Sequence, residues 1–204
     1  MKSSVKLLFI LFFIFILSDP LRASDEQNTD SLKISRIVSD FYTWYLNAIN
    51  NEKHNEYMPR FIANESGMTT IDYSNYIKNL KKYYISDSLI IKEIKSYQAC
   101  KENLKFVKYS DFEIKFNDLD EFERAQCDFG NYYRWIGGQE PIGGIRIKEI
   151  QYINTEKALV TVDYYDINDK DSNKFFYGEN KVGLIKIKNQ WYIDSVDSWN
   201  LIFR

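Results

Sequence analysis

The acidic residues near the middle of the chain are the densest group of side chains that could do chemistry. Asp118, Asp120 and Asp128 place carboxylates at short spacing, and carboxylate oxygens are the ligands that Ca²⁺ prefers. The segment nevertheless lacks the glycine and the terminal glutamate of an EF-hand loop. Aspartates in such a segment also accept hydrogen bonds from their own backbone in turns. We therefore predict turn and cap chemistry here, with no bound metal and no cofactor.

The chain offers few groups for acid–base or nucleophilic catalysis. His54 is the only histidine and lies among polar residues beyond a helix end, so we expect it exposed in a loop and not in a serine triad. Asp40 and Asp163, each among apolar neighbours, are candidates for the carboxylate base of an isomerase-like enzyme. Surface charge is the alternative for both. The sequence also lacks phosphate-binding glycine motifs, and we predict a non-enzymatic protein.

An aromatic segment after the acidic group is the strongest candidate for a binding surface. It contains residue types that dominate binding hot spots: Tyr132, Tyr133, Arg134 and Trp135. The glycines that follow would let such a loop project and adapt. We predict that these four residues contact a protein partner. The alternative is that Trp135 folds back into the core and the loop only covers an edge.

Tyrosines at helical spacing offer a second kind of binding site. Four of them share one face of a predicted helix: Tyr73, Tyr76, Tyr83 and Tyr84. Such a stripe can line an aromatic cavity for a small ligand. More often it belongs to the core, because a tyrosine ring packs well while its hydroxyl reaches a polar rim.

The first 23 residues have the order of a secretory signal peptide. Lysines come first, an apolar run covers 7–17, and the small residue Ala23 offers a cleavage point. The apolar run is shorter than the roughly 20 residues that span a bilayer. We predict cleavage after Ala23, a flexible polar tail over 24–30 and one domain over 31–204. The protein is then periplasmic or secreted, with no transmembrane anchor after cleavage.

Charge and cysteine content agree with an exported domain. The formal net charge of −2 argues against a nucleic-acid partner, which requires a basic surface. Cys100 and Cys127 are the only cysteines, and an even count in an oxidising compartment favours a disulfide between them. The alternative is a pair of free buried thiols.

Hydrophobic periodicity predicts helices in the first half of the chain and strands in the second. Helical spacing indicates three helices, over 31–50, 73–84 and 86–97. The third should turn four residues inward: Ile90, Ile91, Ile94 and Tyr97. Alternation indicates strands over 112–116, 145–152, 160–164, 182–188 and 191–193, the last two forming a hairpin. Helices followed by antiparallel strands define an α+β fold. With helices on the concave side of a bent sheet, the expected architecture is the cystatin-like cone of the nuclear transport factor two superfamily.

Three segments carry a resemblance to a known family. The stretch 37–46 (IVSDFYTWYL) resembles the opening helix of the bacterial family called domain of unknown function 3828, and 182–196 resembles its ending. The family's central motif reads Asp-x-Asp-Pro-Phe followed by Ala-Gln-Asp. Six residues here match it: Asp118, Asp120, Phe122, Ala125, Gln126 and Asp128. Glu121 replaces the proline, and Cys127 separates the glutamine from the aspartate, so this loop departs from the family pattern.

The resemblance implies an exported envelope protein and supplies no activity. Together with the predicted signal peptide and the missing catalytic sets, it leads us to expect a domain that binds a protein partner in the envelope. One specific form is an immunity protein against a toxin that acts in the periplasm. The alternatives are a carrier that holds a small ligand in an aromatic cone cavity and, with less support, the isomerase-like enzyme.

Overall fold

A computed structural model describes residues 19–116, 119–127, 133–167 and 173–197 of the chain. It divides into two compact units, Met1–Arg36 and Ile37–Arg204. Residues 1–18, most of the predicted signal peptide, lie outside the described part. The account below concerns the second unit, apart from the bounds of the first helix.

The described elements run from helices to strands along the chain. The helices are α1 (Asp19–Asn50), α2 (His54–Tyr57), α3 (Ser74–Lys82), α4 (Asp87–Ser96), α5 (Gln98–Leu104), α6 (Tyr109–Lys115) and α7 (Leu119–Arg124). The strands are β1 (Arg60–Ala63), β2 (Thr69–Asp72), β3 (Gly144–Asn154), β4 (Lys157–Ile167), β5 (Lys174–Ile187) and β6 (Gln190–Val196). The predicted α+β class is confirmed, whereas the cone geometry stays a prediction.

The first helix begins earlier than the sequence indicated. It starts at Asp19, so residues 24–30, which we predicted as a loose polar tail, are helical. The only helix breaker nearby is Pro20, and proline is tolerated in the first turn because the N–H it lacks would have no partner there. No described helix is both long and apolar enough to cross a membrane.

The main sheet has four antiparallel strands in the order β3-β4-β5-β6. Val160, Val162 and Tyr164 alternate along β4 and are buried, which is the pattern that predicted this strand. The last hairpin turns through Lys188 and Asn189, both with positive φ angles of 49° and 65°. Two-residue turns of this kind fit the twist of the strands they join, so the predicted hairpin is confirmed.

The last turns of α1 pack on the sheet through aromatic side chains. Tyr42 and Tyr45 are buried, and the Tyr42 ring lies 6.4 Å from that of Tyr164 on β4. The side-chain amide of Asn180 donates to the Tyr164 hydroxyl at 2.6 Å. The same amide also donates to the Tyr42 hydroxyl at 3.4 Å, so Asn180 links this end of α1 to the sheet.

The segment 112–116 is helical, so the strand predicted there was wrong. Phe112 and Phe116 lie one helical turn apart and stack at 4.7 Å between ring centroids, whereas Ile114 is 74% exposed. Alternation over five residues cannot separate the two periods, because positions i and i+4 share a face in both a helix and a strand. The spacing of Phe112 and Phe116 therefore fits a helix as well as a strand.

A small hairpin between α2 and α3 was not anticipated. Its four-residue strands β1 and β2 pair from Arg60–Asp72 to Ala63–Thr69. The Asn64 carboxamide accepts from the backbone N–H groups of Ser66 and Met68, both at 3.0 Å, and Gly67 supplies a φ of +76°. Strands this short give too few residues for a readable alternation.

The predicted disulfide is present. Cys100 on α5 and Cys127 beyond α7 are both buried, and their Cα atoms lie 4.7 Å apart. The bond closes a span of 27 residues that contains α6 and α7. It therefore links the chain after α7 to α5. Closing a loop of this size stabilises a domain by about 2–4 kcal/mol.

Candidate functional site

The aromatic loop singled out in the sequence does not present its hot-spot residues to solvent. Trp135 is completely buried and Arg134 is 5% exposed, while Tyr133 is half-buried. Tyr132 lies outside the described residues. Both side chains complete the core, so neither lies on the exposed surface that the sequence predicted for them. This is the alternative in which the loop folds back.

Trp135 inserts beside α1. Its ring meets that of Phe41 edge to face at 5.6 Å, and its backbone carbonyl accepts a hydrogen bond from the Tyr42 hydroxyl at 3.2 Å. The backbone N–H groups of Ile136 and Gly137 return to the Tyr133 carbonyl at 3.0 and 2.8 Å. The loop after Trp135 is thus held by the core in a tight turn.

Arg134 forms a buried ion pair that links the loop to α4. Its Nε atom lies 2.7 Å from Oε1 of Glu93, whose side chain is completely buried. The same carboxylate oxygen accepts from the hydroxyls of Tyr76 and Tyr97, both at 2.8 Å. Arg134 also donates to the Ser96 hydroxyl and lies over the Tyr97 ring at 4.6 Å. Buried charges need such partners, because desolvation otherwise outweighs their attraction.

This environment shifts the ionisation of its members. Burial raises the pKa of Tyr76 and Tyr97 well above the usual tyrosine value, and the Glu93 carboxylate adds to the effect. Burial alone would lower the pKa of the Arg134 guanidinium, but Tyr97 and Glu93 outweigh it and raise that pKa. The cluster therefore holds an ionised arginine among neutral tyrosines across the physiological range.

The buried tyrosines predict an alkaline limit to stability. Burial raises the pKa of Tyr42 and Tyr45 as well as those of Tyr76 and Tyr97. Their contribution is fully present below the unfolded-state pKa of about 10 and is lost as the pH rises towards the higher folded-state values. Each tyrosine can reduce the free energy of unfolding by about 1.4 kcal/mol per pH unit in that window. Urea unfolding from about pH 8 to pH 11, with tyrosinate absorbance, measures this.

A matched pair of variants separates tyrosine from lysine effects in this experiment. Tyr97→Phe should flatten the alkaline slope, whereas Tyr84→Phe should leave it unchanged because Tyr84 is 42% exposed. If all tyrosines titrate near pH 10 while the fold persists, the buried assignment is contradicted.

A cleft of about 660 Å³ opens between the rest of the loop and the sheet. One wall is the loop segment 136–142, and the other is formed by strands β4 and β5. The strand residues are Tyr164, Asp166 and Tyr177, and the loop contributes Glu140. Tyr164 and Asp166 are two positions apart on β4, so their side chains share one face of the sheet.

Exposed aromatic side chains extend this cleft along β5. Phe175 is 65% exposed and Tyr177 49% exposed, and their rings stack at 6.0 Å. Phe175 pairs with Asp166 in the strand register. The sequence carried a signal for this surface, because three consecutive aromatics, 175–177, cannot all face the core of a strand whose side chains alternate. We call Phe175, Tyr177, Glu140 and Asp166 the hairpin surface.

Two other aromatic side chains of these strands contact cationic side chains of the same chain. The Arg146 guanidinium lies 3.9 Å from the centroid of the Phe176 ring, and the Lys174 ammonium lies 4.1 Å from that of Tyr165. Rings at this end of the sheet therefore already stack with positive groups.

Neither of the two carboxylates proposed as catalytic bases has the surroundings that a general base of this type requires. Asp40 is exposed on α1. Asp163 is buried on β4, but its carboxylate pairs with Arg146 at 2.5 Å and with Lys148 at 3.9 Å. A general base of the isomerase type lies in an apolar pocket, and this ion pairing does not provide one.

The family-motif residues do not form a common site in the described chain. Asp120 is exposed on α7, and Phe122 packs in an aromatic cluster with Phe61, Phe112 and Phe116. Gln126 has a φ of +56° after the helix. Asp118 and Asp128 lie outside the described residues. Among the residues described, no three His, Cys, Asp or Glu side chains are grouped to hold a metal ion.

Most of the described tyrosines of the predicted stripe, and His54, make contacts within the fold. Tyr76 is buried and bound to Glu93, whereas Tyr83 stacks on Trp44 at 4.7 Å and Tyr84 is exposed beyond the end of α3. His54 is exposed as predicted, although it begins the short helix α2, and its Nδ1 is 2.6 Å from the Tyr57 hydroxyl. The stripe thus contributes to the core more than to a cavity.

A second cleft, of about 490 Å³, lies between the start of α4 and strand β6. Its polar lining includes Lys81, Ser86 and Ser88, and the Asp194 carboxylate accepts from both serine hydroxyls. The Ser86 hydroxyl also accepts from the Leu89 backbone N–H at 3.0 Å as the cap of α4. These hydrogen bonds explain Ser86, Ser88 and Asp194 as a helix cap and its support, and Lys81 pairs with Asp87 at 3.1 Å.

No protein-family model, no curated protein and no solved structure matches this chain. The resemblance to domain of unknown function 3828 therefore stays a prediction.

Proposed function

We propose that this protein is an exported, non-enzymatic domain that binds a protein partner in the envelope through the hairpin surface. The observation that carries the proposal is the stacked, exposed pair Phe175 and Tyr177 beside an open cleft. The disulfide between Cys100 and Cys127 is compatible with export, and the predicted signal peptide directs it.

The aromatic pair supports binding because exposure of such rings to water is unfavourable without a partner. Burying apolar surface contributes about 25 cal/mol per Å². Tyrosine is also enriched among residues that dominate binding energy, and neighbouring apolar rings help to exclude water from them. The surface proposed here replaces the four-residue segment 132–135 of the sequence prediction. The loop wall of its cleft, 136–142, follows that segment directly.

Within this proposal an immunity protein against a periplasmic toxin is one specific form. The resemblance to an envelope family agrees with that form but names no partner. The carrier alternative has less support from the four tyrosines that were predicted to line a cavity. Tyr76 donates its hydroxyl to Glu93, Tyr83 stacks on Trp44, and Tyr84 is exposed. The isomerase alternative also has less support, because Asp40 is exposed and Asp163 is paired with Arg146.

Crosslinking in the envelope tests the proposal. The protein, tagged at its C-terminus and expressed at native level, is crosslinked and its partners are identified by mass spectrometry. We expect one stoichiometric protein partner that is lost in Phe175→Ser/Tyr177→Ser. Phe106→Ser is the matched control, since Phe106 is 79% exposed and lies outside the hairpin surface. Recovery of no partner, or equal recovery from all variants, would overturn the proposal.

A further inference from the structure

We infer that the cleft of the hairpin surface binds an arginine side chain of the protein partner. The inference rests on the proposed function, because it specifies which chemistry that partner brings to the cleft. Three features carry it: the charge of the lining residues, the aromatic faces beside them, and the space between loop and sheet.

The charge of the cleft is negative. Glu140 from the loop and Asp166 from β4 approach it from opposite walls, and no basic residue belongs to its described lining. The backbone N–H of Ile167 donates to Asp166 Oδ1 at 2.9 Å. An ionised carboxylate has further acceptor sites beyond this one bond. Two carboxylates facing one space form the complement of a single planar guanidinium, which offers five donors.

The two carboxylates converge on one aromatic side chain. Asp166, Glu140 and Tyr177 line the same cleft. Burial raises the pKa of the Tyr177 hydroxyl, and the two carboxylates raise it further. A guanidinium that enters between them would stack on an aromatic face while it pairs with carboxylate oxygens. Arginine suits such a site better than lysine, because its planar group both stacks and forms bidentate hydrogen bonds.

The same end of the sheet already shows this chemistry within the chain. Arg146 stacks on Phe176 and pairs with Asp163, which is the arrangement inferred for the partner's arginine. In that internal pair an arginine, a ring and a carboxylate lie together on neighbouring strands. The cleft offers the corresponding ring and carboxylates around open space.

The wall of the cleft is positioned well enough to select a ligand. The core holds the loop through Trp135 and the Glu93–Arg134 ion pair, immediately before the segment 136–142 that forms the wall. A preorganised wall reduces the ordering cost of binding. The net charge of −2 also favours encounter with a basic partner.

Titration with N-acetyl-arginine methylamide tests the inference. Its neutral isostere, N-acetyl-citrulline methylamide, is the matched probe, and binding is followed by amide chemical shifts in NMR. We expect the arginine probe to shift the signals of Gly137, Gly138 and Tyr177, and to bind at least about tenfold more tightly than the citrulline probe, a difference of about 1.4 kcal/mol. Equal affinity of the two probes would overturn the inference.

Two variants of equal net charge make the test specific. Glu140→Gln/Asp166→Asn should weaken the arginine probe at least tenfold, whereas Glu149→Gln/Glu156→Gln should leave its affinity unchanged. Glu149 and Glu156 are exposed and do not line the cleft. Equal weakening in both would show that only net charge matters, and would overturn the inference.

The same variants separate this inference from the proposed function. A partner that Phe175→Ser/Tyr177→Ser abolishes and Glu140→Gln/Asp166→Asn leaves bound would support the function and overturn the arginine site. Specific binding of the arginine probe without any captured protein would support the site and overturn the proposed function.

Discussion

Replacing Glu93 by glutamine is expected to lower the free energy of unfolding by about 3–5 kcal/mol, the usual cost of removing one partner of a buried ion pair. The glutamine amide oxygen can still accept from the hydroxyls of Tyr76 and Tyr97, so the change removes charge more than hydrogen bonds. Arg134 would then be a buried guanidinium without its counter-ion. A typical domain has about 5–15 kcal/mol of stability in total, so the loss should be large in urea unfolding.

A double-mutant cycle identifies the ion pair as the cause. Arg134→Met keeps much of the side-chain volume and removes the guanidinium, and the double variant leaves no uncompensated charge. The double variant should lose less stability than the two single losses combined, with an interaction energy of about 1–3 kcal/mol. Additive losses would show that the pair contributes only packing.

An exposed carboxylate provides the control for this cycle. Glu149 lies on β3 and is exposed, so Glu149→Gln should change the free energy of unfolding by less than about 0.5 kcal/mol. A loss in this control comparable to that of Glu93→Gln would mean that general charge, and not the buried pair, sets the stability.

The buried pair also shows where reasoning from periodicity ends. The pattern of α4 predicted Ile91 on the inner face, but Ile91 is 65% exposed and Glu93 is completely buried. Periodicity ranks positions by apolarity, so it gives no reason to place a glutamate on the inner face. The burial of Glu93 depends on Arg134, a partner 41 positions away, and no local pattern encodes such a contact.

Long elements were readable because many residues repeat the same signal. The four strands of the main sheet, the first helix and the hairpin between β5 and β6 follow from periods of 2 and 3.6 residues. The short hairpin β1–β2 and helix α6 do not, since a handful of residues fits both periods. The disulfide could be predicted from the number of cysteines and from the predicted compartment, because neither depends on knowing the fold.

The proposed binding surface could be predicted only in part from the sequence, for a different physical reason. The sequence located the loop by its residue types. Arginine and tryptophan, however, occur both in binding interfaces and, where polar partners are present, in the core. Whether Trp135 faces outward depends on the space left by Phe41 and Tyr42, which only the packed fold determines. The run 175–177 carried the clearer signal, because alternation forces at least one of its rings outward.

Trp135→Ala is expected to lower the free energy of unfolding by about 3–5 kcal/mol, as for other fully buried aromatic residues. Trp135→Phe should lose less, since it keeps a ring to pack against Phe41. Urea unfolding measures both losses, and hydrogen exchange measures the loop. Because the core anchor precedes the cleft wall directly, the amides of Ile136 and Gly137 should exchange faster in the alanine variant.

The contrary outcome for Trp135 is equally specific. A surface residue would lose less than about 0.5 kcal/mol on truncation and would leave exchange in the loop unchanged. That result would restore Trp135 to the partner surface predicted from the sequence. A large loss of stability with faster exchange at residues 136–137 would instead show that one core side chain both stabilises the domain and positions the loop wall of the cleft.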